Sequence, residues 1–463
     1  VATVTADSAI HDRYQNLEFF GVTKVNVVTS FDDLTNRFSS FFEAFQWGLE
    51  SSRKIKFLTD DLKDRCRFLE ESEIKEITTI FFFLLGKASV HAPIRIRKGM
   101  SLELGDKVSS FSYLIRDSGV FVYSGKKICY GTSKTVDRCV HIDFSGRVSI
   151  CANAKIHPAK RNREHYGMVE REFIIRRALR SKYVLHPGEM YAYEGKFGAP
   201  KLSWLTPYYN IDGIDIIAKR KTTTEEVAYE RKMLPLNTLR FMHSISECLQ
   251  FVHGRGWLHR DIKLENCLAR FDEESLEIRE VVLTDFAFAI QQKDLKEERR
   301  RKIEDLLGVY FKRNLAEVRS NNPLFSSLFV EDETILPNTS EYKKNLEMRP
   351  VVDPEAPMIL KMLEKADRYI SLGTKGYLAP EIISKRVFSI KTDLYALGCS
   401  FKLLKQHLYE ASSFYPEIEP YFDGLVDSLL MEDPERRPSI EAVLDRIIGL
   451  YRAQRELDSL HSK

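Results

Sequence analysis

The stretch Leu258-His-Arg-Asp-Ile-Lys-Leu-Glu-Asn-Cys-Leu268 sets a carboxylate (Asp261), an ammonium (Lys263) and an amide (Asn266) within six residues, punctuated by apolar side chains. A carboxylate can accept the proton of a hydroxyl, a cation can offset charge on a transferring group, and an amide oxygen can help to hold a divalent metal. A second oxygen ligand follows in "VVLTDFAF", where Asp285 ends an apolar strand. Oxygen donors beside a phosphate favour Mg²⁺ over zinc or a softer metal. The residue types therefore suit transfer of a phosphoryl group to a hydroxyl.

Such a cluster needs a frame. Phe31, Leu34, Phe38, Phe41, Phe42, Phe45 and Leu49 recur at helical spacing, and two more helical stretches follow at about 60–71 and 73–87. Residues 1–110 therefore read as a mainly helical extension or domain. From about Arg95 short alternating strands appear, among them "GVFVYSG", "KKICYG", "RCVHIDFSG" and "RVSICANAKI". One helix, "MVEREFIIRRAL", and strands at 190–193 and 201–209 complete this half. Beyond Thr222 nearly everything except the turns around Asp261 and Asp285 reads as helix. A strand-rich half followed by a helical half predicts an α+β chain of two lobes sharing a cleft.

On these residues the chain resembles the eukaryotic-type serine/threonine protein kinases. His259-Arg260-Asp261 with Asn266 five residues on matches the family's catalytic loop, with Ile262 in place of Leu. Asp285-Phe286-Ala287 is similar to the metal-binding D-F-G, with Ala for Gly, and Ala379-Pro380-Glu381 is the A-P-E. "KTDLYALG" and "MEDPERRPS" follow in the family's order. The resemblance implies a kinase domain over 119–455, with an N-lobe at about 119–210 and a C-lobe at about 211–455. It implies ATP and Mg²⁺ as cofactors and a protein serine or threonine as acceptor. Asp261 is then the base, Lys263 steadies the γ-phosphate, and Asn266 and Asp285 hold the metal. Lys155, in "ANAK", would hold the α- and β-phosphates, with Glu172 or Glu170 as its carboxylate partner and Glu172 preferred. His259 is expected under Phe286, Asp393 on the backbone of the catalytic loop, and Arg437 on Glu381. The phosphate-covering loop departs most from the family: in "YGTSKTV" only Gly131 remains, which reads equally as an ordinary hairpin glycine.

Composition narrows the alternatives. With 43% apolar and 30% charged residues the chain is globular, and a net charge of +3 gives no reason to expect nucleic acid. The basic run "KEERRRK" reads as a solvated helix face. The longest apolar run, 80–85, is too short to span a bilayer. Seven scattered cysteines without a CxxC pair predict reduced thiols in a cytoplasmic setting, a host-cell cytosol if the source is a microbe. Two other functions stay open: a pseudokinase scaffold, suggested by the poor glycine loop and Ala287, and a small-molecule kinase, disfavoured by the A-P-E.

The helical insertion at 291–370 falls where the family has its activation segment. A long loop at that place is expected to gate substrate or to recruit a regulatory partner, a role the N-terminal block could share. Deleting residues 295–369 is expected to change phosphorylation rate or substrate choice in a kinase assay. Unchanged values would mark the segment as a tolerated surface insertion.

Overall fold

A computed structural model describes residues 23–28, 49–85, 94–96, 101–102, 107–108, 111–116, 118–130, 134–143, 145–156, 163–194, 200–217, 235–272, 274–295, 373–385, 387–410 and 415–461. The Phe-rich stretch at 31–48, Gly131, the basic run and nearly all of the 291–370 insertion lie outside the described residues. The chain divides into two compact units, residues 1–170 with 186–208, and residues 171–185 with 209–463.

In the first unit, strands β1 (Thr23–Val28), β2 (Ile94–Ile96), β3 (Ser101–Leu102), β4 (Lys107–Val108), β5 (Ser112–Arg116), β6 (Gly119–Tyr130), β7 (Lys134–Ile142), β8 (Val148–Ile156), β9 (Glu189–Glu194) and β10 (Pro200–Pro207) are formed. Eight of them close in the order β1-β2-β5-β6-β7-β8-β10-β9, while β3 and β4 make a separate hairpin. Every pairing is antiparallel except those of β1, which runs parallel to both β2 and β9. Among the described residues, closure leaves this eight-stranded sheet without a free edge. Neither β1 nor β2 is legible in the sequence, because three to six residues are too few to show a period. "GVFVYSG" and "KKICYG" read as two strands, but they form one. Gly125, at φ +68°, sits where the register with β7 shifts, so the glycine makes a bulge rather than a turn.

Helices α1 (Leu49–Arg65) and α2 (Glu71–Leu85) cover one face of this sheet. Leu58, Leu62, Cys66, Ile77, Ile80 and Phe81 share a single core with Phe111, Tyr113, Val120, Val122, Val140 and Val148. Asp61 adds a polar tie, its carboxylate accepting from the Val148 backbone N–H at 2.9 Å. The described helices of the N-terminal block therefore stand on the strands that follow them.

Helix α3 (Arg163–Ala178) carries the unit boundary. In the second unit follow strand β11 (Ile211–Asp212), α4 (Gly213–Ile217), α5 (Pro235–Gly254), β12 (Trp257–Leu258), β13 (Cys267–Asp272), β14 (Glu277–Leu283), β15 (Ile290–Gln291), α6 (Pro380–Lys385), α7 (Ile390–Glu410), α8 (Glu419–Leu429) and α9 (Ile440–His461). Helix α5 buries Leu239, Met242, Ile245, Leu249 and Val252, the stripe that a 3.6-residue period places on one face. Its core also takes Phe401, Phe422, Leu425, Val443 and Ile447 from the later helices.

The apolar strand expected before Asp285 is the end of β14, while the expectation of helix elsewhere in this half is corrected at β13 and the start of β14. These pair antiparallel, with Cys267, Ala269 and Phe271 turned inward. Leu, Ala, Arg and Glu favour helix in isolation, and tertiary burial of alternate residues overrides them.

Leu62 is fully buried at the meeting of α1 and the sheet. Leu62→Ala is expected to cost about 2–5 kcal/mol, read as a lower denaturation midpoint by chemical unfolding. Strand and helix signals should be lost together, since the two share a core; a helix-only transition would refute that.

Candidate active site

The catalytic-loop stretch leaves β12 and enters β13 through a single 3₁₀ turn, Leu264–Asn266. Its apolar punctuation has a structural purpose: Leu258, Ile262, Leu264 and Cys267 are all fully buried and anchor the loop from below. Burial pushes the Cys267 thiol well above its ordinary range, so it is a packed residue rather than a nucleophile.

Arg260 has φ +66°, a left-handed conformation unusual for a side chain of its size. Asp393, at the start of α7, holds it there. The Asp393 carboxylate accepts from the His259 and Arg260 backbone N–H groups, both at 2.9 Å, and lies 2.9 Å from His253 Nε2. Burial works to raise the Asp393 pKa, yet the His253 hydrogen bond and the charges of His253 and His259 leave it below the usual carboxylate value. Arg260 directs its Nε to the Phe288 carbonyl at 2.6 Å and lies over the Phe388 ring.

Asp261 is ringed by donors. One carboxylate oxygen accepts from the Thr374 backbone N–H (3.0 Å) and hydroxyl (2.7 Å). The other accepts from the Asn266 amide at 3.0 Å and lies 3.0 Å from Lys263 Nζ. Lys263 in turn donates to the Thr374 hydroxyl at 2.9 Å. Gly373 makes the close approach possible. Its φ is +129°, and a Cβ there would meet the Arg260 carbonyl at 2.9 Å.

Asn266 also donates to the Asp261 carbonyl at 2.8 Å. With both amide protons spent on Asp261, its Oδ1 is left to act as an acceptor. Its neighbour across the hairpin is Thr284, whose N–H bonds the Asn266 carbonyl at 3.0 Å and which directly precedes Asp285. Asp285 has φ +62° and ψ +60° and opens the short 3₁₀ turn Phe286–Phe288. The backbone thus sets two oxygen-bearing side chains, Asn266 and Asp285, at adjoining strand ends. This donor set fits a hard dication such as Mg²⁺. His259 lies under Phe286 with ring centroids 4.6 Å apart and reaches the Thr284 carbonyl at 3.0 Å.

Of the other predicted site residues, Glu172 is 2% exposed and sits 3.3 Å from Arg176 one turn along α3. Arg176 also donates from Nε to the Leu185 carbonyl at 2.9 Å. Burial lowers the Arg176 pKa, while Glu172 and the nearby Asp285 carboxylate oppose that shift. In the first unit, Lys155 on β8 is ion-paired to Asp137 on β7. Sequence reasoning missed Asp137 altogether, since nothing in "KTVDRC" distinguishes an inward aspartate from an outward one. The cross-strand register supplies that distinction. Gly131 and the side chain of Glu170 are not among the described residues.

Further along, Arg437 and Glu381 form a buried two-pronged pair at 2.6 and 2.8 Å. This pair fixes α6, and so the A-P-E, to the turn before α9.

A closing, mainly antiparallel sheet in one unit, and helices around a hairpin-borne polar loop in the other, are consistent with an α+β kinase-like fold. Residues 123–306 match the protein kinase domain family. Among curated proteins the chain is similar to the mouse serine/threonine-protein kinase Nek1, at 29% identity over 92 residues covering 16% of this chain and 8% of that protein. It is similar to mouse serine/threonine-protein kinase Nek5, at 32% over 91 residues, 16% and 14% of the two chains. Mouse serine/threonine-protein kinase ULK4 shares 31% over 105 residues, 18% and 8%. These matches span at most 14% of a relative's own length. Over part of its length the chain is thus similar to protein kinases of the eukaryotic serine/threonine type.

Asp393→Asn is expected to cost about 1–3 kcal/mol by loosening the loop whose backbone it holds. The native pKa of Asp393 lies below the unfolded one, so its contribution is complete above about 3.8 and fades as pH falls through the lowered native value. The variant should flatten the stability-against-pH slope in that acid range, measured by urea denaturation at a series of pH values. An unaltered slope would contradict the assignment.

Proposed function

We propose that this chain is an active serine/threonine protein kinase that moves the γ-phosphate of ATP to a protein hydroxyl. The single observation that carries this reading is the ring formed by Asp261, Lys263, Asn266 and Thr374. It holds a carboxylate in a set position with a cation beside it, as transfer to an alcohol requires.

Asp261 accepts or orients the proton of the acceptor hydroxyl. The Thr374 hydroxyl, donating to Asp261 and accepting from Lys263, keeps the carboxylate turned toward the place that hydroxyl takes. Lys263 sits on both Asp261 and Thr374 and is the cation available to a transferring phosphoryl group. Asn266 and Asp285 would hold magnesium, which when bound offsets phosphate charge. Lys155 would neutralise the α- and β-phosphates. Threonine at 374, bonded to both Asp261 and Lys263, supports serine or threonine as the acceptor. A protein substrate, a cytoplasmic setting, and a regulatory partner on the 291–370 insertion or the N-terminal block complete this reading.

One observation favours a scaffold with little turnover. Lys155 and Glu172 each have a charged partner inside their own unit, Asp137 and Arg176. A kinase needs that lysine for phosphate.

A radiolabelled-ATP assay with magnesium, using the chain itself and generic protein substrates, separates the two. The parent chain is expected to incorporate label, and Asp261→Asn to lose roughly 10²–10⁴-fold in rate. No label from the parent under any of these conditions would establish the scaffold instead.

A further inference from the structure

The ion pair between Asp137 and Lys155 joins two residues of very different exposure. Asp137 is 1% exposed in its side chain, whereas Lys155 is 35% exposed and open to a ligand. In the β7–β8 register Asp137 faces Asn153 and Thr135 faces Lys155. The carboxylate therefore lies one diagonal step from the ammonium on the same side of the sheet.

A buried carboxylate is ordinarily satisfied by hydrogen-bond donors. Here both Asp137 oxygens are buried and, apart from the Lys155 ammonium on one of them, receive no described hydrogen bond. Asn153, fully buried across the strand, spends its Oδ1 on the Ser203 hydroxyl at 2.6 Å. Its Nδ2 is buried and unbonded as well, so it does not relieve the carboxylate. Among the described residues, Lys155 is the cation that compensates Asp137.

We propose that Asp137 is a built-in competitor for Lys155, an internal anion that a nucleotide's phosphates must displace before this lysine can hold them. The proposal rests on the reading of Lys155 as a phosphate ligand. Taking the ammonium away leaves a buried carboxylate poorly compensated, an outcome that opposes binding. The competitor thus lowers affinity for anionic nucleotides and leaves uncharged nucleosides nearly untouched. Asp137 is in this sense a specificity-setting residue that acts through Lys155.

Calorimetry on the full chain tests this with MgATP and with adenosine. Asp137→Asn keeps the shape and removes the charge; it is expected to bind MgATP at least about tenfold tighter and adenosine within about twofold of the parent. Placed on Lys155→Met, the same change should leave MgATP affinity unaltered, which a merely structural role for Asp137 would not produce. Asp137→Ser, smaller and neutral, gives the same readout should the asparagine variant fold poorly by circular dichroism. MgATP binding by the parent with no gain in the neutral variants, or an equal gain for adenosine, would overturn the proposal alone. No MgATP binding by the parent or by the neutral variants would overturn the nucleotide reading of Lys155 with it.

Discussion

The functional loop depends on one carboxylate. Asp393 is buried at the first turn of α7, where the unpaired N–H groups of a helix start favour negative charge. It spends its oxygens on two consecutive backbone N–H groups and a histidine ring. Those bonds offset the cost of keeping Arg260 left-handed, while Ile262 and Leu264 beside it are buried in the core. Asp261, Thr374, Lys263 and Asn266 can then close their ring because the backbone beneath them is already set. The pairing of β12 with β15 and the Arg260 bond to the Phe288 carbonyl carry the same constraint into the segment after Asp285.

Buried charge in this protein falls into two kinds. Arg437 is fully engaged, with Glu381 on one side and the Met431 and Lys391 carbonyls on the other. Such a group is satisfied on every side, and it fixes a joint between α6 and the turn ahead of α9. Asp137 is the opposite case, with Lys155 as its one described cation and no other described hydrogen bond. A satisfied network specifies one arrangement; an unsatisfied one is poised to change partners.

Much of the candidate site was legible because its chemistry is local. Asp261, Lys263 and Asn266 sit on one loop, and their spacing alone suggests their roles. Arg437 with Glu381, Asp393 with the loop backbone, and His259 with Phe286 followed from motif resemblance, and the structure makes each of these contacts. What escaped the reading is non-local. The parallel strand β1 and the short β2 draw their partners from distant segments, and β13 is built largely from residues that favour helix on their own. Glu172 was expected as the carboxylate partner of Lys155, and its described cation is Arg176, one turn along α3.

Residue types and spacing by themselves carried the motifs that resemble the protein kinases and their order along the chain, since a short polar loop keeps its residue pattern wherever it is placed. Only the tertiary structure decided which charges meet. An ion pair depends on cross-strand register and on exclusion of water, and neither is a property of neighbours in the chain. Whether Lys155 faces solvent, Asp137 or a phosphate is set by which face of β7 and β8 turns inward. That choice comes from burying Cys139 on one face and Val140 and Ile142 on the other, not from the residues at 137 or 155.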